Sequence, residues 1–312
     1  MLEITNLVTE FATRDGIVRA VDGISLAVKP KEILGVVVES GSGKSVMGYS
    51  IMGLVDPPGR VAAGSVRFDG RELLGLPQEE MRRLRGRRIA MVFQDPMMTL
   101  NPVLSIETQM IETVLAHEPC SRATAKRLCI ENLERVGIAS PEKRLKQYPH
   151  QFSGGMRQRV AIAIALLHRP RVVIADEPTT ALDVTVQGQI LYEMQKLVRD
   201  AGAALVWITH DLAVVAGLAD RVAVMYAGRI VEEGTAEEVL VSPRHPYTRG
   251  LLDSVPAAHA EGGRLKQIPG MMPSLARLPE GCSFRDRCSY ADGKCTAMPE
   301  MKMHVRCHHP LC

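Results

Sequence analysis

Residues Gly35–Ser45 read GVVVESGSGKS, and their reading decides the rest of the chain. A continuous apolar run, Ile33–Val38, leads into a glycine-rich turn. That pattern predicts a strand buried on both faces of a parallel sheet, delivering a loop at its end. Backbone N–H groups of such a loop wrap around phosphate oxygens, and the following helix points its positive N-terminus at the same anion. In the phosphate-loop pattern G-x-x-x-x-G-K-S/T, Gly43, Lys44 and Ser45 fill the last three places. Gly41 and Gly43 permit close backbone approach, Ser40 and Ser42 belong to the same phosphate-binding loop, Lys44 supplies a cation, and the Ser45 hydroxyl can hold Mg2+. The helix is expected to begin near Lys44 and to carry Val46, Met47 and Ile51. The same S-G-S-G spelling occurs in flexible linkers, so the loop alone does not settle the matter.

The first place of the pattern is occupied by Val38 instead of glycine. Glycine there relieves crowding and permits positive φ, which a β-branched side chain strongly disfavours. If position 38 keeps strand dihedrals, valine costs only space. If it needs glycine geometry, strain of about 1–3 kcal/mol follows, or about 5- to 150-fold in nucleotide affinity. The expectation is a modified, working loop.

A matching half-site lies downstream in VVIADEP, Val172–Pro178. Asp176 ends a buried apolar strand, where α/β sheets bind ligands, and can hold Mg2+ or its water. Glu177 follows and can polarise an attacking water. Two acids at a strand end are common in turns; their weight comes from co-occurrence with the loop.

Composition sets the frame. The chain has 312 residues, 46% hydrophobic and 23% charged, enough for a large globular core with an extension. A formal charge of +3 does not suggest a nucleic-acid partner. No apolar run approaches the roughly 18 residues of a membrane span, and MLEITNLVTE lacks a basic n-region followed by an apolar stretch. A cytosolic protein is expected.

Short strands are expected at Leu2–Val8, Ile24–Val28 and Ser65–Phe68, and buried ones at Ile89–Phe93, Val172–Ala175 and Leu205–Ile208. Arg221–Tyr226 and Arg229–Glu232 flank Ala227-Gly228 as a hairpin. Residues 96–170 read as helical: Ser121 caps a helix bearing Ala125, Leu128, Cys129, Leu133 and Val136 on one face, and Gly137 ends it. Cys129 is therefore expected to be a buried small hydrophobe. Buried parallel strands interrupted by a helical block predict an α/β nucleotide-binding core with an inserted helical subdomain.

Between the two half-sites lies FSGGMRQRV, Phe152–Val160, and here the chain resembles the ATP-binding subunits of ABC transporters. Ser153-Gly154-Gly155-Met156-Arg157-Gln158 is similar to that family's signature. Gln94 in VFQDP resembles its Q-loop, Ala181-Leu182-Asp183 its D-loop, His210 in WITHD its switch histidine, and Phe11 the aromatic that stacks on adenine. These motifs follow the family order across residues 1 to about 235. The resemblance implies an ABC-type P-loop NTPase core with an N-terminal antiparallel β portion, the inserted helical subdomain and a C-terminal cysteine-containing extension. The expected division is an ATPase domain over 1–240, with its helical subdomain at about 96–170, and an extension over 241–312.

It further implies a head-to-tail pair of ATPase domains with ATP between the loop of one and the signature of the other. Lys44 and the amides of Gly41 to Ser45 would bind phosphates, with Ser45, Gln94 and Asp176 near Mg2+. Glu177 would act as general base and His210 would contact the γ-phosphate. Ser153, Gly154 and Gly155 would close the partner's site, and the helical insert would pass the motion to membrane subunits.

RHPYTRGLL, Arg244–Leu252, MYAGRIVEEG and PTTALDVTVQ narrow the resemblance to the dipeptide and oligopeptide importer branch. By itself Arg244-His245-Pro246 reads as a charged turn before a helix. The branch implies a second, non-identical ATPase subunit, two transmembrane permeases, an extracytoplasmic substrate-binding protein, and a peripheral position on the cytoplasmic face of the inner membrane. A catalytically impaired regulatory subunit, motivated by Val38, and a non-transport ABC ATPase are the alternatives. The latter usually carries paired cassettes, long coiled coils or basic arms, none of which this sequence shows.

Five of the seven cysteines fall in the last 31 residues. Cys282, Cys288, Cys295 and Cys307 give C-x5-C-x6-C-x11-C. Four thiolates can surround a Zn2+ ion or a 4Fe–4S cluster, and unliganded or disulfide-paired thiols remain a third reading. No C-x2-C knuckle favours zinc, and the importer resemblance implies the cluster. His304, His308 and His309 are alternative ligands, and Cys312 is left unassigned.

Overall fold

The computed structural model describes residues 1–39, 41–180, 182–254 and 267–312. Ser40 of the phosphate loop and Ala181 of the D-loop lie outside the described residues. Contacts divide the chain into two compact units, one formed by residues 1, 28–32 and 75–206, the other by 2–27, 33–74 and 207–312.

The second unit begins with β1 (Leu2–Thr13) and β2 (Gly16–Val28), then β3 (Ile33–Val38) and α1 (Lys44–Met52). β4 (Gly59–Phe68) and β5 (Arg71–Glu72) complete an antiparallel sheet of order β2-β1-β4-β5. β1 pairs with β4 from Leu2 opposite Phe68 to Phe11 opposite Gly59, with register shifts at Val8 and Thr9. β3 is buried at all six positions, as its apolar run requires.

The first unit holds α2 (Gln78–Leu84), β6 (Ile89–Val92), α3 (Ile106–Leu115), α4 (Arg122–Arg135), α5 (Pro141–Leu145), α6 (Gly154–Leu166), β7 (Val172–Asp176) and α7 (Val184–Ala201). β6 and β7 are parallel, Ile89 beside Val172, and every residue of both is buried. α4 starts where Ser121 accepts from the Thr124 N–H at 3.1 Å and buries Ala125, Cys129 and Leu133. Burial pushes the Cys129 thiol up to about 12, as a core residue demands.

β8 (Ala204–Thr209), wholly buried, runs from the first unit into the second. There α8 (Leu212–Leu218), β9 (Arg221–Tyr226), β10 (Arg229–Thr235), α9 (Ala236–Val241) and α10 (Pro246–Asp253) follow. β9 pairs parallel with β3, Val38 beside Met225, and antiparallel with β10. Ala227 (φ 47°) and Gly228 (φ 80°) make the hairpin turn, both in the left-handed region that a two-residue loop with primed geometry needs. The tail packs on this hairpin: Tyr226, Tyr247 and Phe284 form one aromatic cluster, with ring centroids 4.7 Å apart for Tyr226–Tyr247 and 5.3 Å for Tyr226–Phe284. None of the described helices is long and apolar enough to cross a membrane.

Candidate functional site

In the second unit, β3 ends at Val38, 1% exposed and without positive φ, so the valine keeps ordinary strand geometry. The turn after it is closed by the Ser42 N–H donating to the Glu39 carbonyl at 3.2 Å, and the Gly228 N–H donates to the Ser42 carbonyl at 3.0 Å. Gly43 caps α1 at φ 91°. A Cβ there would lie 1.9 Å from the Ala20 carbonyl oxygen, so only glycine fits. Lys44 is buried and opens α1, Ser45 is half-buried beside it, and Met47 and Ile51 anchor the helix in the core. The arrangement is a helix N-terminus on a tight glycine turn after a buried strand, able to cradle an anion.

Phe11 lies on β1 opposite Gly59, and its ring occupies the space where a Gly59 Cβ would come within 2.4 Å of it. His210 follows β8 and is exposed; Asp211 beside it caps α8, accepting from the Ala213 N–H at 2.9 Å.

In the first unit, Asp176 ends β7 fully buried and Glu177 follows at 4% exposure. Glu177 has φ 45°, a left-handed backbone that a non-glycine residue adopts at a cost of about 1–3 kcal/mol, and such strain clusters at functional sites. Its Oε2 accepts from Gln94 Nε2 at 3.3 Å and from Thr180 Oγ1 at 3.1 Å. The Q-loop and the candidate base therefore meet, and Thr180 is a partner that sequence reading missed. Asp183 caps α7, accepting from the Val186 N–H at 3.0 Å.

Ser153 caps α6, accepting from the Met156 N–H at 3.3 Å, while the buried Phe152 ring holds the turn. Ser153 and Gly154 are exposed, and a Cβ on Gly154 would meet nothing within 4 Å. This helix N-terminus faces open space.

These motifs match known families. A family model described as ABC transporter matches residues 21–180, and one described as the C-terminal region of oligopeptide/dipeptide transporters matches residues 231–295. The chain belongs to the ABC transporter ATPases. Within that family, the oligopeptide transport ATP-binding protein OppD of Salmonella typhimurium is 48% identical over 302 residues, 97% of this chain and 90% of that protein. The dipeptide transport ATP-binding protein DppD of Escherichia coli is 45% identical over 317 residues, 100% of this chain and 97% of that one. Among solved structures, the ATP-binding cassette MJ0796, dimeric in a post-hydrolysis state with ADP and Pi, matches with a TM-score of 0.70 at 27% identity. That match covers 76% of this chain and 99% of the cassette.

The matched C-terminal region explains its own motif. Glu232, 2% exposed, accepts from the backbone N–H groups of Arg244 (2.6 Å) and His245 (3.0 Å). His245 then accepts from the Tyr247 N–H at 3.0 Å through Nδ1, capping α10, whose first residue is Pro246. Burial pushes the His245 imidazole down to about 3. The histidine is a neutral cap locking the tail to β10, not part of a charged turn.

Cys282, Cys288, Cys295 and Cys307 gather in this tail. The Cys282 N–H donates to the Cys295 carbonyl at 3.0 Å. That crossing is possible because Gly281 (φ 78°) has no Cβ, which would lie 2.4 Å from the Thr296 carbonyl. Burial raises the thiols of Cys282 and Cys288 and pushes Cys307 up to about 11, with the other three sulfurs adding to the Cys307 shift. Among the described residues no three of these sulfurs lie within 4.8 Å of one another; the trio that does is Asp292, Cys295 and His309.

Proposed function

We propose that this chain binds and hydrolyses ATP to energise a membrane importer of dipeptides or oligopeptides. Similarity to the oligopeptide and dipeptide transport ATP-binding proteins across 97–100% of the chain, tail included, carries the reading. The strand geometry of Val38 supports full activity over an impaired regulatory role.

The roles follow from the chemistry of each group. Lys44 and the amides of Gly41 to Ser45, with the Ser40 hydroxyl, bind the phosphates, and Phe11 takes the adenine. Ser45, Gln94 and Asp176 would hold Mg2+, which would supply neutralisation of phosphate charge. Glu177 orients and deprotonates water while Gln94 and Thr180 fix its carboxylate, and His210 contacts the γ-phosphate. Ser153, Gly154 and Gly155 present an exposed helix N-terminus to the ATP of a second, non-identical ATPase subunit. Two permeases and an extracytoplasmic binding protein complete the assembly, with this chain peripheral on the cytoplasmic face of the inner membrane. We assign 1–240 to the ATPase domain, with the helical subdomain at about 96–170, and 241–312 to the importer extension.

The four-cysteine set suits a 4Fe–4S cluster better than zinc. Tetrahedral Zn2+ with bonds of about 2.3 Å needs sulfurs about 3.8 Å apart, closer than any trio of these cysteines within the described residues. A cluster would tie together a tail too small for its own core.

The test is a titration of the purified chain with Mg2+ and a fluorescent ATP analogue, beside Val38→Gly and Lys44→Ala. Equal affinity for the native chain and Val38→Gly, with loss in Lys44→Ala, supports the reading. Binding recovered only in Val38→Gly overturns it in favour of a regulatory subunit. Peptide-dependent ATP hydrolysis with the permeases assembled then tests the import role.

A further inference from the structure

The phosphate loop has a neighbour that its motif does not foretell. Met272 lies on the turn: the Ser42 hydroxyl donates to its sulfur at 2.8 Å, and its methyl carbon would stand 3.2 Å from a Cβ on Gly41. Around this contact opens a cleft of about 650 Å3, with Val18 on one side, Glu39 and Gly41 at its foot, and Met271, Met272 and Leu275 among the residues of its other wall.

That wall is anchored. Arg287 donates through Nε to the Pro269 carbonyl at 3.0 Å, through Nη1 to Glu39 at 2.8 Å, and to the Tyr226 hydroxyl at 3.3 Å. One buried guanidinium thus fixes the start of the 269–276 segment, the first loop residue after β3 and the end of β9.

The lining indicates the ligand's chemistry. Glu39 is the one charged lining residue among those described, and Arg287 neutralises it. The cleft opens on Glu39 and Gly41, whereas the anion-binding helix terminus begins at Gly43 and Lys44. An uncharged, flat, apolar group therefore suits the cleft, while phosphates suit the helix terminus. A thioether beside an aromatic ring is a favourable contact.

We propose that residues 270–276 form the second wall of the nucleobase side of the nucleotide cleft, with Met272 touching the base. The inference rests on the ATP-binding reading above and adds a base-binding role for the C-terminal tail.

Calorimetric titration of the full chain with MgADP and with Mg2+–pyrophosphate separates base from phosphate binding. Met272→Ala weakens MgADP binding about 2- to 10-fold, the value of one methionine–aromatic contact, and leaves pyrophosphate unchanged. Equal weakening of both ligands, tightening of both, or no change overturns the wall and leaves Met272 a packing residue of the loop. A second measurement uses the unaltered chain: peroxide oxidation of Met272 to the sulfoxide is slowed by MgADP and not by pyrophosphate, with Met303, 75% exposed and outside the cleft lining, as the internal reference. Oxidation of Met272 indifferent to MgADP also overturns it. If the unaltered chain bound neither ligand, the ATP-binding reading itself would fall, and this inference with it.

Discussion

The Arg287 guanidinium grips the Glu39 carboxylate with two nitrogens, at 2.8 Å and 3.3 Å, across 248 positions of sequence. The arginine is buried and the glutamate side chain is 32% exposed, so the pair is partly shielded from water. Arg287→Ala strands that carboxylate and lowers stability by about 1–3 kcal/mol, discounted for the exposure of Glu39. Combining it with Glu39→Gln recovers part of the loss. Urea unfolding of the four proteins gives the coupling, and strictly additive losses would refute the pairing.

Val38→Gly does not improve nucleotide binding, because Val38 already holds strand dihedrals. It does remove a buried side chain and loosens the strand, costing about 2–4 kcal/mol in urea unfolding. A gain in affinity without loss of stability would contradict the strand geometry.

Glu177→Gln keeps MgATP bound and slows hydrolysis by about 100- to 10,000-fold, the usual share of a positioned base. Thr180→Ala removes a side-chain donor to that carboxylate and gives a smaller loss in turnover with affinity unchanged. Phosphate release in the assembled transporter reads both, and near-normal turnover in Glu177→Gln would remove the base assignment.

His245 makes stability depend on pH. Burial brings its pKa from 6.5 to about 3, partly opposed by a hydrogen bond with the Arg306 backbone, and the His245 N–H donates to the Glu232 carboxylate. Between those values the unfolded chain carries the extra proton, so stability present above pH 6.5 falls as pH is lowered toward the folded value. His245→Asn keeps a capping acceptor and removes the titration. Its urea midpoint changes less between pH 7.5 and pH 5.5 than that of the native chain; equal slopes would show that other groups dominate.

Much of this was legible in the sequence where local signals suffice. The buried strands β3, β7 and β8, the Ser121 cap and the Ala227-Gly228 hairpin are set by apolar runs and turn residues. β1 and β10 run further than their alternation suggests, because register shifts at Val8–Thr9 and Ile230–Glu232 break the period of two. Glu177 was legible as an acid after a strand, but its left-handed backbone was not, since no local rule predicts it. Arg287 and Met272 gave no signal at all. Their partners, Glu39 and Ser42, lie more than 200 residues away, and only the folded chain brings them together.

The division of the chain has a consequence for the order in which it folds. The unit with α2 to α7 draws almost all its residues from the continuous run 75–206, whereas the phosphate-loop unit joins 2–27 and 33–74 to 207–312. Closing that second unit means closing loops of more than a hundred residues, a slow step. During synthesis the unit of residues 75–206 can therefore condense on the ribosome while β3 waits, with an unfinished edge, for β9 to emerge. The last part made completes the first part begun.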